Sequence, residues 1–258
     1  MFTPKELVDQ AIQSGEAKAN NSYLTTFILG IFASSFIALA GVSVIRVMAL
    51  LPKEFGSLSS FIGGLAFPFG LVALIILGGD LVTGNMFCLS MALFDRKISL
   101  KQWGTNLFLV SLANLVGAIV IAYFFGFLSG TLTGDYTPKT IAIAQGRLGQ
   151  PLPTFFSAIA CNLLVSSGIY MAMAAKDITG KVVTASLIAV SFIIVGYQHV
   201  VANMFFLFAG YLAGGVSLGQ LFSNLSLVWL GNLVGGSGLL AGGYYTAYKI
   251  GFKKKVSY

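Results

Sequence analysis

From Val182 to Tyr248 the chain passes without one Asp, Glu, Lys or Arg. So long an uncharged, apolar run belongs in lipid, where every backbone polar group must be satisfied within helices. It is interrupted at Gly196-Tyr197-Gln198-His199-Val200-Val201-Ala202-Asn203-Met204-Phe205, which carries the only histidine of the chain. A second interruption lies 118 positions earlier, at Gly78-Gly79-Asp80-Leu81-Val82-Thr83-Gly84-Asn85-Met86-Phe87. A carboxylate there, beside a glycine pair, is costly at membrane depth unless the helix is broken on purpose.

The two interruptions belong to a repeat. Asn85-Met86-Phe87 matches Asn203-Met204-Phe205, and Asn114-Leu115-Val116-Gly117 matches Asn232-Leu233-Val234-Gly235. Ser99-Leu100-x-Gln102-x-x-x-Asn106-Leu107 matches Ser217-Leu218-x-Gln220-x-x-x-Asn224-Leu225, all at the same offset and without a gap. Six crossings are predicted: about Leu24 to Leu51, Ser57 to Phe94 broken at Asp80–Gly84, Gly104 to Gly130, Thr154 to Ala175, Val182 to Gly214 broken near His199, and Asn224 to Tyr248. Three crossings per half is an odd number, so the halves insert with opposite orientation. Inverted repeats with helices interrupted at matching places put a transport site near the midplane. The expected fold is therefore all-α, a polytopic bundle of six helices in two inverted three-helix repeats, with the second and fifth interrupted.

The remaining segments follow from that frame. Residues 1–22 read as a cytoplasmic amphipathic helix, opened by Thr3, Pro4 and Glu6 as N-cap, first-turn proline and capping-box glutamate. The first repeat spans 23–130, an outer loop 131–153, the second repeat 154–248, and a basic cytoplasmic tail 249–258. With both termini inside, eleven Lys and Arg fall on inner segments, including Lys253–Lys255. Four, Arg46, Lys53, Lys139 and Arg147, fall on outer ones. That bias places the protein in the cytoplasmic (inner) membrane with both termini cytoplasmic.

Composition excludes several classes. Hydrophobic residues make up 57% and charged ones 9% of the chain, against roughly 25% charged in soluble proteins. The net charge of +7 sits in loops and tail and does not indicate nucleic acid. Cys88 and Cys161 both lie in apolar runs, so no disulfide framework is expected. One histidine and two cysteines support neither a metal centre nor an enzyme, and no cofactor is implied. What stands out is His199 itself, because an ionisable residue at a helix break inside a membrane marks a functional site. The carboxylate of Asp80 is expected to cap amides freed by its break, with Asn85 and Asn203 tying the broken backbone together.

At Gly79-Asp80-Leu81-x-Thr83-Gly84-Asn85 and His199-x-x-Ala202-Asn203-Met204 the sequence resembles the formate/nitrite transporter family, over essentially the whole chain. The resemblance implies an aquaporin-like fold, a homopentamer and one pore through each protomer. It also implies that Thr83 and His199 form the central polar pair. Leu71, Leu81 and Val82 match one apolar constriction, and Phe67, Val165 and Phe192 match the other, with Asn162 a pore-lining polar position. Two departures stand out. Gln198 occupies a position where glutamate is common, and a vestibule lysine is replaced nearby by the basic pair Arg147 and Lys139.

The function so implied is a channel or transporter for a small monovalent anion or its conjugate acid, formate first, with a proton passed through His199. Nitrite or hydrosulfide is the alternative within the family. A neutral-solute channel of the aquaporin type is the alternative outside it, and the absence of paired Asn-Pro-Ala boxes argues against that one.

Overall fold

The computed structural model describes residues 2–251, so the Lys253–Lys255 cluster lies outside the described residues. Every regular element among the described residues is helical. The surface helix α1 (Pro4–Asn20) opens with the anticipated capping box: Glu6 N–H donates to Thr3 Oγ1, and Thr3 N–H donates to Glu6 Oε2 at 2.7 Å. The first repeat comprises α2 (Tyr23–Ala49), α3 (Ser57–Leu65), α4 (Pro68–Leu77), α5 (Val82–Phe94) and α6 (Leu100–Val120), the last continuing in wider turns to Leu128. After α7 (Thr137–Gly146), the second repeat comprises α8 (Pro151–Ala174), α9 (Ile178–Val195), α10 (Val200–Leu212) and α11 (Leu218–Leu233), whose helical path extends to Ile250. Six stretches among the described residues are long and apolar enough to cross a membrane. The architecture is the aquaporin-like inverted repeat.

Both breaks fall at the same place in their repeats. The first is Gly78–Leu81 and the second Gly196–His199, each opening on a glycine with φ of 83° and 73°. That left-handed conformation is open to glycine at little cost and ends the preceding half-helix. The first break thus starts upstream of the expected Asp80–Gly84, and Thr83 and Gly84 already belong to the first turn of α5.

Three features depart from the expectation. The third and sixth crossings begin several residues early, at Leu100 and Leu218, because Ser99/Gln102 and Ser217/Gln220 form capping boxes. The stretch between α3 and α4 is bent at Ala66–Phe67, where Pro68 cannot donate to the preceding turn. And the segment expected as a loop, 131–153, holds α7, started by Pro138.

Helix α7 is the second repeat's equivalent of α1. Helix α1 lies against α5 and α7 against α10, each through a close approach of small residues. A Cβ added to Gly15 of α1 would fall on the carbonyl oxygen of Cys88 and 3.0 Å from Ala92 Cβ. In the other half the small residues are exchanged: Ala144 of α7 sits where a Cβ on Gly210 of α10 would be.

Candidate functional site

The half-helices end and begin at the centre of the bundle, and one asparagine on the third crossing of each repeat holds them there. Asn114 Oδ1 accepts from Val82 N–H at 2.9 Å, while its Nδ2 donates to the carbonyls of Gly30 (2.8 Å) and Asp80 (2.9 Å). Asn232 Oδ1 accepts from Val200 N–H at 2.9 Å, and its Nδ2 donates to Ala158 (2.7 Å) and Gln198 (3.0 Å). A primary amide offers two donors and a carbonyl acceptor, the set needed to close a severed ladder from the side. These two residues were visible in the sequence only as members of the repeat; the recurrence of Asn-Leu-Val-Gly was the signal.

Asp80 therefore does not cap the freed amides. Its carboxylate, 1% exposed, is held by Lys18 Nζ and accepts from Asn85 Nδ2 at 3.3 Å. Asn85 and Asn203 do bridge the breaks to neighbouring helices, donating to Asn106 Oδ1 and Asn224 Oδ1, each at 2.9 Å. Asn162 is spent on backbone as well: its Nδ2 donates to Thr83 O (3.3 Å) and Asn232 O (2.8 Å), and its Oδ1 accepts from Ser166. It is fully buried and braces α5 from α8, away from the central cavity.

Thr83 Oγ1 and His199 Nε2 lie 3.0 Å apart, both residues buried. The other ring nitrogen accepts from Ala202 N–H at 3.2 Å. A nitrogen that accepts carries no proton, so the imidazole in this arrangement bears its hydrogen on Nε2 and donates it to Thr83. The threonine hydroxyl keeps its own hydrogen to give.

Around this pair the walls are apolar. Phe67, Leu71, Leu81, Val165 and Phe192 line one cavity of about 20 Å³, roughly room for a single water, with His199 its only polar lining residue. Residues expected at each of the two constrictions thus line the same small cavity. The rings of Phe67 and Phe192 have centroids 5.4 Å apart, and Phe192 packs edge-on against His199 at 5.6 Å. The proline bend at Phe67 is what lets that ring reach across. Val82 is buried without lining the cavity. Leu81 also borders a larger cavity of about 260 Å³ on the α1 side, whose lining includes Lys18, Asn85, Cys88 and Lys181. This leucine separates the two spaces.

The basic residues expected at the outer mouth are placed differently from each other. Lys139 is half-exposed on α7. Arg147 is buried; its Nη1 donates to Tyr197 O at 2.9 Å, and its guanidinium lies 5.1 Å from the Phe206 ring centroid.

Comparison with known proteins bears on what such a site does. The model of a family described as formate/nitrite transporter matches residues 5–246. A relative from Bacillus subtilis (strain 168), the uncharacterized transporter YrhG, is 42% identical across 95% of this chain and 93% of its own. The formate channel BtFdhC of Bacillus thuringiensis is 38% identical across 95% of both. Among solved structures, an FNT family ion channel superposes with a TM-score of 0.87 at 25% identity, covering 94% of this chain and 98% of that one. A pentameric formate channel with formate bound gives 0.72 at 27%, covering 88% and 97%.

Proposed function

Because the chain belongs to the formate/nitrite transporter family and is a multi-pass membrane protein, we propose that each protomer conducts formate, as the anion or the acid, through the Thr83–His199 site. The observation that carries this reading is a buried histidine, hydrogen-bonded to Thr83, that is the one polar residue lining an otherwise apolar cavity between two helix breaks. A bare anion faces an idealised desolvation cost on the order of 20 kcal/mol in a low dielectric. The positive ends of α5 and α10, which begin at Val82 and Val200, offset part of that cost. The imidazole of His199 is the polar group in that wall, and the Thr83 hydroxyl is its hydrogen-bond partner. Phe67, Phe192, Leu71 and Leu81 exclude hydrated ions by dewetting, with Val165 completing the wall. The name of a relative that is a formate channel, and a structural neighbour solved with formate, support formate over nitrite and hydrosulfide.

A finer reading concerns the proton. His199 can protonate the anion of a weak acid only from the imidazolium state, which leaves a neutral ring, since a neutral ring giving up its Nε2 hydrogen would become an imidazolate. Reaching that state means protonating Nδ1 and giving up the Ala202 N–H bond. The hydrogen bond from Ala202 N–H to Nδ1 favours a second reading, in which the pair orients the anion by hydrogen bonds and the proton travels with the substrate. We further place the protein in the cytoplasmic membrane with both termini inside, as a homopentamer like its formate-bound neighbour, with Arg147 and Lys139 raising anion concentration at the outer mouth.

Side-by-side uptake of formate, nitrite, hydrosulfide and glycerol into proteoliposomes tests the reading. Formate flux with no glycerol flux is expected. Glycerol flux without anion flux would place the chain among neutral-solute channels.

A further inference from the structure

The 118-residue offset sets Asp80 against Gln198, Asn85 against Asn203 and Asn106 against Asn224, and Lys18 and Arg147, though outside that offset, take corresponding places at the two breaks. At the α1 mouth Asn85 donates to Asp80 Oδ1, Asn106 Nδ2 donates to Lys18 O at 3.1 Å, and Lys18 Nζ donates to Gly79 O at 3.4 Å. At the α7 mouth Asn203 donates to Gln198 Oε1 at 2.7 Å, Asn224 Nδ2 donates to Arg147 O at 2.8 Å, and Arg147 Nη1 donates to Tyr197 O. Gly79 and Tyr197 are themselves related by the offset. Each mouth therefore has one basic side chain reaching the freed carbonyls of a half-helix, an arrangement that suits the negative end of the helix dipole.

Only the charge differs. Lys18 is paired with the Asp80 carboxylate. Arg147 meets a carboxamide, whose Nε2 donates to Arg147 O at 3.2 Å, and among the described residues no carboxylate lies within ion-pair distance of its guanidinium. Carbonyl dipoles and the Phe206 ring stabilise that cation without cancelling it. Guanidinium does not titrate in the working range, so the charge is permanent. The ion pair of half-buried Lys18 with buried Asp80 sums to zero at the α1 mouth, whereas buried Arg147 leaves one positive charge at the α7 mouth. Lys181, which lines the α1-side cavity, and Lys139 on α7 are half-exposed, and solvent screens them.

We infer that the α7 mouth binds the permeating anion more tightly than the α1 mouth, and that Gln198, by leaving Arg147 uncompensated, sets the difference. This rests on the anion-conduit reading above. A fixed charge cannot drive net transport, so permeability at low concentration stays equal in both directions. What differs is saturation. A unit charge about 10 Å from a site, at an effective dielectric of about 20, changes occupancy on the order of tenfold.

The test uses the full-length protein in liposomes of established orientation, with formate as the probe and the membrane potential clamped at zero. The half-saturating formate concentration is measured from each face. It is expected to be several-fold lower from the α7 face, and to remain so as salt is raised, because buried charge is screened less than exposed charge. Gln198→Glu and Arg147→Gln should each erase the difference by separate routes, while Arg147→Lys keeps it. Asp80→Asn should narrow it by tightening the α1 face. Equal half-saturation from both faces in the unmodified protein overturns the inference, as does a difference that survives both Gln198→Glu and Arg147→Gln. Absence of formate flux from either face overturns the transport reading itself, and the inference with it.

Discussion

At the scale of single residues, the centre of the molecule is governed by a few side chains whose hydrogen bonds leave little freedom. His199 accepts from its own helix and donates to a threonine of the other repeat. Replacing it by Asn preserves a donor and an acceptor but removes titration. If His199 supplies the proton, formate flux in the unmodified protein should vary with pH in a way that His199→Asn flattens. If it only orients the anion, the two pH profiles should run parallel, with the mutant rate reduced. Proteoliposome flux against pH separates the two outcomes. Asn114 and Asn232 belong to the same scale. Replacing either by Ala strands a helix-terminal N–H and two carbonyls in the interior, at about 1–3 kcal/mol for each group left unmade. Thermal unfolding in detergent should show a clear loss for both. Equal melting temperatures for Asn114→Ala and the unmodified protein would show that water closes the break in its place.

At the scale of elements, α1 is fastened at three points: Gly15 on the backbone of α5, Lys18 on Asp80, and Asp9 with Lys249. Gly15→Leu puts atoms where the Cys88 carbonyl already is, so the helix should lift off while the bundle, held by contacts elsewhere, stays folded. Hydrogen exchange across residues 4–20 should rise by orders of magnitude with α5 and α10 unchanged; a protected α1 in this variant would contradict the packing described. The capping box at its start is also sensitive to acid. Hydrogen bonds from Thr3, backbone first and then side chain, hold the Glu6 carboxyl below its usual 4.5. A depressed folded-state value means that the contribution is complete above the usual value and is lost as pH falls through the lowered one. The first turn of α1 should therefore fray only below about pH 4.5, which exchange at residues 3–7 can follow.

At the scale of the whole molecule, an odd number of crossings per repeat requires α1 and α7 to lie on opposite faces of the membrane. Single cysteines introduced on α1 and on α7 should react with a membrane-impermeant thiol reagent from opposite sides, α7 from outside; the native Cys88 and Cys161 are buried and serve as a low background. Labelling of both from one side would break the inverted-repeat topology. Native mass spectrometry should show five copies of the chain, and a stable dimer or tetramer would count against the proposed homopentamer.

The membrane class, the six crossings and the inverted repeat could be read from the sequence because each rests on local pattern: uncharged runs, glycine pairs, and motifs recurring at one offset. His199 was legible for the same reason, as an isolated ionisable group in an uncharged run. The early starts of α6 and α11 were also within reach, since Ser99/Gln102 and Ser217/Gln220 have the same capping pattern read correctly at Thr3/Glu6. Other features were not local. That Asp80 binds Lys18 and leaves the capping to Asn114 depends on which side chain arrives from another helix. So does the meeting of Thr83 with His199, 116 positions apart, which the sequence suggested only through family resemblance. That residues of both expected constrictions line one cavity depends on a proline bend that turns Phe67 towards Phe192. A pattern along a chain specifies which stretches form helices and which face lipid. Which polar groups find one another inside is decided by packing, because in a medium without water each must take whatever donor or acceptor the neighbouring helix brings within 3 Å or so.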